Sequence, residues 1–138
     1  MSKTKKETYA LACVHNKGNG KEEFIDIKLT KSSKKVKFIH RYEDERTPPL
    51  KVKLRYAKVL ALTNELERII KDEPNCFRGE FKGEDHSVIV KNTNCQYGGI
   101  LSFELEEDYN GYETIHVNRT DIVNLISHLK ELMSIMNS

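Results

Sequence analysis

Apolar residues recur at helical spacing near the end of each half of this chain, and each such run follows short segments in which apolar and polar residues alternate. From residue 120 onward Ile122, Leu125, Ile126, Leu129, Leu132, Met133 and Met136 fall on one stripe of a 3.6-residue period. Thr120 stands where a capping residue would stand, and Asp121 lies near the positive end of the helix dipole. The same spacing links Val59, Leu62, Leu66, Ile69 and Ile70, and Asp72-Glu73-Pro74 ends that run, because proline cannot supply the amide proton of a continuing helix. Two amphipathic helices are therefore predicted, each with one face to bury.

The alternating segments supply what the helices pack on, since successive side chains of a strand point to opposite faces. Strands are predicted at residues 9–15, 24–30, 36–42 and 50–54 in the first half, and at 77–82, 87–91, 101–105 and 114–118 in the second. Turn-forming stretches separate them: Asn16-Lys17-Gly18-Asn19-Gly20, Ser32-Ser33, Pro48-Pro49, Gly83-Glu84-Asp85, Gly98-Gly99 and Asp108-Tyr109-Asn110-Gly111. The Asn-Gly pair in the last is a hairpin signal, because both residues adopt positive φ readily. At an offset of 63 residues Val52 and Leu54 match Ile115 and Val117, and Val59, Leu62, Leu66, Ile69 and Ile70 match Ile122, Leu125, Leu129, Leu132 and Met133. The expected fold is α+β, with two β-β-β-β-α repeats and antiparallel sheets packed with amphipathic helices. A length of 138 residues suffices to bury one core. The expected organisation is a flexible basic segment over 1–6, then one domain over 7–138 made of a basic repeat, 7–74, and an acidic repeat, 75–138.

That division follows the charge. Residues 1–72 hold 18 Lys and Arg against 10 Asp and Glu, a net +8, while residues 73–138 hold 5 against 11, a net −6. Such a gradient points to a polyanionic partner on the basic side. Alternation then assigns faces. With Ile25, Ile27, Val36, Phe38, Val52 and Leu54 inward, the outward set is Phe24, Lys28, Lys35, Lys37, Arg41, Lys51, Lys53 and Arg55. Cations beside an aromatic ring suit phosphate neutralisation and base stacking, with Tyr9 and Tyr42 as candidate border residues. The alternative is a solvated lysine-rich face that discourages edge pairing. On the second sheet Glu104, Glu106 and Glu113 are expected outward, where they would repel phosphate. That repeat would then complete the core, pair with another subunit or engage a basic protein partner.

The segments Phe24-Ile25-Asp26-Ile27-Lys28-Leu29, Lys35-Val36-Lys37-Phe38-Ile39 and Lys51-Val52-Lys53-Leu54 lead into the first helix. Ser87-Val88-Ile89-Val90-Lys91, Leu101-Ser102-Phe103-Glu104-Leu105 and Thr114-Ile115-His116-Val117 lead into the second. In pattern and order, over nearly the whole chain, they resemble the Whirly, PUR-repeat and positive-cofactor-four-like proteins. The resemblance implies four-stranded antiparallel sheets packed against helices, with two repeats, within or between chains, forming a unit whose sheet surface or grooves accept single-stranded DNA or RNA. DNA is expected to be preferred over RNA, in replication, recombination or transcription. It also implies a homodimer, since related folds cover their open sheet edges by joining repeats.

No catalytic constellation is legible. His15, His40, His86, His116 and His128 show no metal-ligand spacing, and His128 reads as structural at the edge of the second helix stripe. Gly18-Asn19-Gly20 lacks the following helix of a phosphate loop, and Gly98-Gly99 leads into a strand. Glu106-Glu107-Asp108 reads as a solvated acidic turn. No metal, cofactor or enzymatic activity is expected. Cys13, Cys76 and Cys95 contain no CxxC pair and read as reduced, mostly buried residues. No apolar stretch would cross a bilayer and no signal-peptide core follows Lys3, Lys5 and Lys6, so no membrane partner and a cytoplasmic or other internal location are expected. A protein-interaction module, and an enzyme whose site is assembled from loops, remain the alternatives to nucleic-acid binding.

Overall fold

A computed structural model describes residues 8–44, 48–84, 86–95, 97–107 and 111–137. The elements follow in the order β1 (Tyr9–Ala12), β2 (Glu23–Leu29), β3 (Lys35–Tyr42), β4 (Leu50–Arg55), α1 (Tyr56–Asp72), β5 (Arg78–Lys82), β6 (His86–Asn92), β7 (Leu101–Glu107), β8 (Gly111–Val117) and α2 (Arg119–Met136). Two four-stranded antiparallel meanders, β1-β2-β3-β4 and β5-β6-β7-β8, are each followed by a helix. The two-repeat α+β arrangement is therefore the one expected from the alternation and the helical stripes. The basic segment 1–6, Asp85 and the turn residues Asp108, Tyr109 and Asn110 lie outside the described residues.

The sheets share one core, because the inward row of each strand is apolar. Ile25, Ile27, Val36, Phe38, Val52 and Leu54 meet Val88, Val90, Leu101, Phe103, Leu105 and Ile115 in a single cluster, with the Phe38 and Phe103 rings 6.0 Å apart. The helices bury the stripes read from the sequence: Val59, Leu62, Leu66 and Ile69 in α1, and Ile122, Leu125, Leu129, Leu132 and Met133 in α2. Each helix also crosses to the other repeat. α1 reaches β5, and α2 reaches β1, where His128 Nε2 donates to the Ile27 carbonyl at 3.0 Å and its ring lies 5.4 Å from Tyr9. His128 is thus structural, as expected. The helices run against each other in opposite directions, tied by Lys130 to Glu67 at 2.6 Å and by Arg119 to Glu73 at 3.1 Å.

Several local expectations are corrected. Asn118, not Thr120, caps α2: its side chain accepts from the Asp121 amide at 2.8 Å, and the helix starts at Arg119. β1 ends at Ala12 rather than His15, because Asn16 clamps Glu23 through both its amide and its carbonyl at 3.0 and 3.1 Å, and the Val14 amide donates to the His116 carbonyl of β8 at 2.8 Å. The first sheet is joined to the second at that seam. Of the three cysteines Cys13 is buried, Cys95 is partly so and Cys76 is exposed, since Cys76 falls in the turn after α1; all three are free. Among the described residues no helix is long and apolar enough to cross a membrane.

Candidate nucleic-acid interface

Strand register decides which side chains share a surface. Lys28 lies opposite Lys37, and Lys37 opposite Lys53, so three lysines form one row across β2, β3 and β4. Lys35 faces Arg55 in the next row, Ile39 faces Lys51 in the row before, and Phe24 faces Arg41 beyond that. All eight residues picked from alternation therefore occupy the outward side of the first sheet. Lys51, Lys53 and Arg55 are exposed, while Phe24, Lys28, Lys35, Lys37 and Arg41 are half-buried.

The row is electrostatically unfavourable on its own, since like charges directly opposite one another destabilise a sheet. Among the described residues no carboxylate lies within ion-pair distance of Lys28, Lys37 or Lys53. Burial lowers the Lys37 pKa, and Lys28, Lys53, Lys51 and Lys31 lower it further. Lys31 is a contributor that alternation could not find, because it projects from the β2–β3 turn rather than from a strand. A groove of about 490 Å³ lies on one side of the row, lined by Lys28, Lys31, Lys37, Thr8, Thr30 and Ser33 among others. A second, of about 480 Å³, runs from Lys35, Lys51 and Lys53 to Glu84, His86 and Glu107 of the other repeat.

The aromatic part of the expectation needs correction. Phe24 is on the outward face but is not open: the Arg41 guanidinium sits 4.5 Å from its ring centre and is held there by Asp26, with Nε 2.7 Å from Oδ2. Tyr9 and Tyr42 lie on the inward parity. Tyr9 pairs in register with Ile27 and packs on α2, whereas the Tyr42 hydroxyl donates to Glu113 Oε1 at 3.0 Å.

The second sheet also differs from the expected acidic, solvated surface. Glu104 is only 8 % exposed, accepts from the Thr114 hydroxyl at 3.2 Å and lies 4.0 Å from Lys91 Nζ. Glu113 shares the inward parity of Ile115 and faces His40 and Tyr42 across the repeat interface. His86 Nε2 is 3.0 Å from Glu107. Much of the second repeat's negative charge is therefore partnered within the chain.

Among the described residues the fold also assembles two groups of metal-capable side chains that spacing along the sequence did not reveal. His15, Cys95 and His116 come together at the β1–β8 seam, and Glu23, His40 and Glu113 at the repeat interface. The second group is already committed: His40 is buried, with Nε2 3.0 Å from Glu23 and its ring edge-on to Tyr42. Neither protein-family models nor curated protein sequences give a match to this chain.

Proposed function

We propose that this protein binds single-stranded nucleic acid, DNA in preference to RNA, without catalysing a reaction, on the outward face of its first sheet. The observation that carries this reading is the Lys28–Lys37–Lys53 row, three cations in register with Lys35, Lys51 and Arg55 around them and, among the described residues, no carboxylate to neutralise the row. A polyanion relieves the repulsion that the free protein bears, and the flanking grooves give a backbone a path along the row. Phosphate binding of this kind positions a strand and carries little sequence information. The resemblance to the Whirly, PUR-repeat and positive-cofactor-four-like proteins points the same way. A docking face for a basic protein on the second repeat has less to offer, because Glu104 and Glu113 are turned to partners within the chain.

The test is a salt titration of binding to labelled single-stranded DNA and RNA of the same sequence. The double substitution Lys37→Glu with Lys53→Glu should weaken binding for all sequences alike, and should flatten the dependence of log affinity on log salt by about 0.7 for each phosphate that is no longer neutralised. Unchanged affinity with the fold intact would remove this face from consideration. Tighter binding to RNA than to DNA would reverse the stated preference.

A further inference from the structure

We propose that His15, Cys95 and His116 form a site for a zinc-class divalent metal at the seam between the two repeats, with the Cys13 thiol next to His15. The donor atoms of the three residues all lie within 4.8 Å of one another. A set of thiols and imidazoles is the choice of zinc rather than of magnesium or calcium, which take oxygen donors. Cys13 Sγ is 3.5 Å from His15 Nδ1. Two donors bound to one tetrahedral zinc at about 2.3 Å for sulfur and about 2.0–2.1 Å for nitrogen are separated by about that distance.

Two features of the surroundings are independent of the donor geometry. His116 Nδ1 is buried and has no hydrogen-bond partner, an arrangement that costs free energy unless something else meets that nitrogen. Position 99 must be glycine to admit the thiol, since a Cβ there would lie 2.6 Å from Cys95 Sγ and 3.2 Å from His116 Cβ. The surroundings are also held in place: the Tyr97 ring stands edge-on to His15 at 5.1 Å, and the His116 amide donates to Cys13 Sγ at 3.4 Å.

Cys13 and His15 follow β1, Cys95 precedes β7 and His116 lies in β8, so the metal would fasten the first repeat to the second where Val14 already donates to the His116 carbonyl. Binding replaces the thiol proton of Cys95, which leaves to solvent. None of this depends on the lysine face.

The experiment uses the reduced full chain, stripped of metal by a chelator and titrated with Co²⁺. One equivalent should produce the intense visible bands of tetrahedral cobalt and a thiolate-to-cobalt charge-transfer band, both abolished by adding Zn²⁺, and Zn²⁺ should raise the melting temperature. His15→Ala, at an exposed position that leaves the core intact, and Cys95→Ser should each abolish the visible bands. Cys76→Ser should leave them unchanged. A pale octahedral spectrum, bands that survive both site variants, or bands that vanish with Cys76 would overturn the proposal. Circular dichroism of each variant separates loss of the site from loss of the fold.

Discussion

Lys37 bears the repulsion of its neighbours on both sides in the row. Because its pKa is lowered in the fold, the unfolded chain holds that proton to higher pH than the native state does, so stability rises as pH climbs through the alkaline range below the usual lysine value. Lys37→Gln should remove that rise and stabilise the free protein at neutral pH by about 0.5 kcal/mol, while weakening oligonucleotide binding. Urea titrations with and without oligonucleotide read both effects, and a loss of stability in the free variant would contradict the reading of the row. Arg41 is different in kind, since it is tied to Asp26, whose other carboxylate oxygen is buried and unpartnered. Arg41→Ala should therefore cost about 1–3 kcal/mol of stability in a thermal or urea melt. Alternation was enough to place both residues on the outward face. It could not tell that one is uncompensated and the other gripped, because that depends on Asp26 lying in a neighbouring strand.

At the scale of elements, the helices were the most legible parts, since a repeat of 3.6 over four or five turns has no strand reading. Their ends were less so: Thr120 and Asn118 are both good capping residues, and only the bond from Asp121 to Asn118 distinguishes them. Asn118→Ala should cost about 1 kcal/mol, and Thr120→Ala much less, in denaturant midpoints. The misreadings on the strands share one cause, which is that polarity was taken to mean exposure. Glu113 alternates in step with Ile115 and Val117, yet its charge suggested the solvent side; it is accommodated inward because Tyr42 and His40 of the other repeat meet it there. The end of β1 was illegible for a similar reason, since Val14 is bonded to a residue more than a hundred positions away.

For the whole molecule, the twofold recurrence of strands and helix was visible in the sequence, but the contact of each helix with the other repeat was not. α1 lies against β5 as well as against β3 and β4, and α2 lies against β1, so the two halves share their helices' packing. Unfolding should accordingly be one transition, with far-ultraviolet circular dichroism and tyrosine fluorescence coincident in urea; two separated midpoints would mean that the repeats are independent. A fragment ending at residue 74 should lack the helix that covers β1 and should fail to give a folded monomer by the same optical measures. The expected homodimer rested on open sheet edges, and the Val14 bond to β8 takes up only one backbone group of such an edge; sedimentation over a range of concentrations measures whether the rest draw in a second copy. The joining of two repeats in one polypeptide has a further consequence. Two identical chains must display the same surface twice, whereas linked repeats can diverge, one keeping its cations bare and the other turning its carboxylates toward internal partners. A strand bound to such a molecule would meet a single track with distinguishable ends, one by the β2–β3 turn and the other by Glu84 and Glu107, and could therefore be held in one direction.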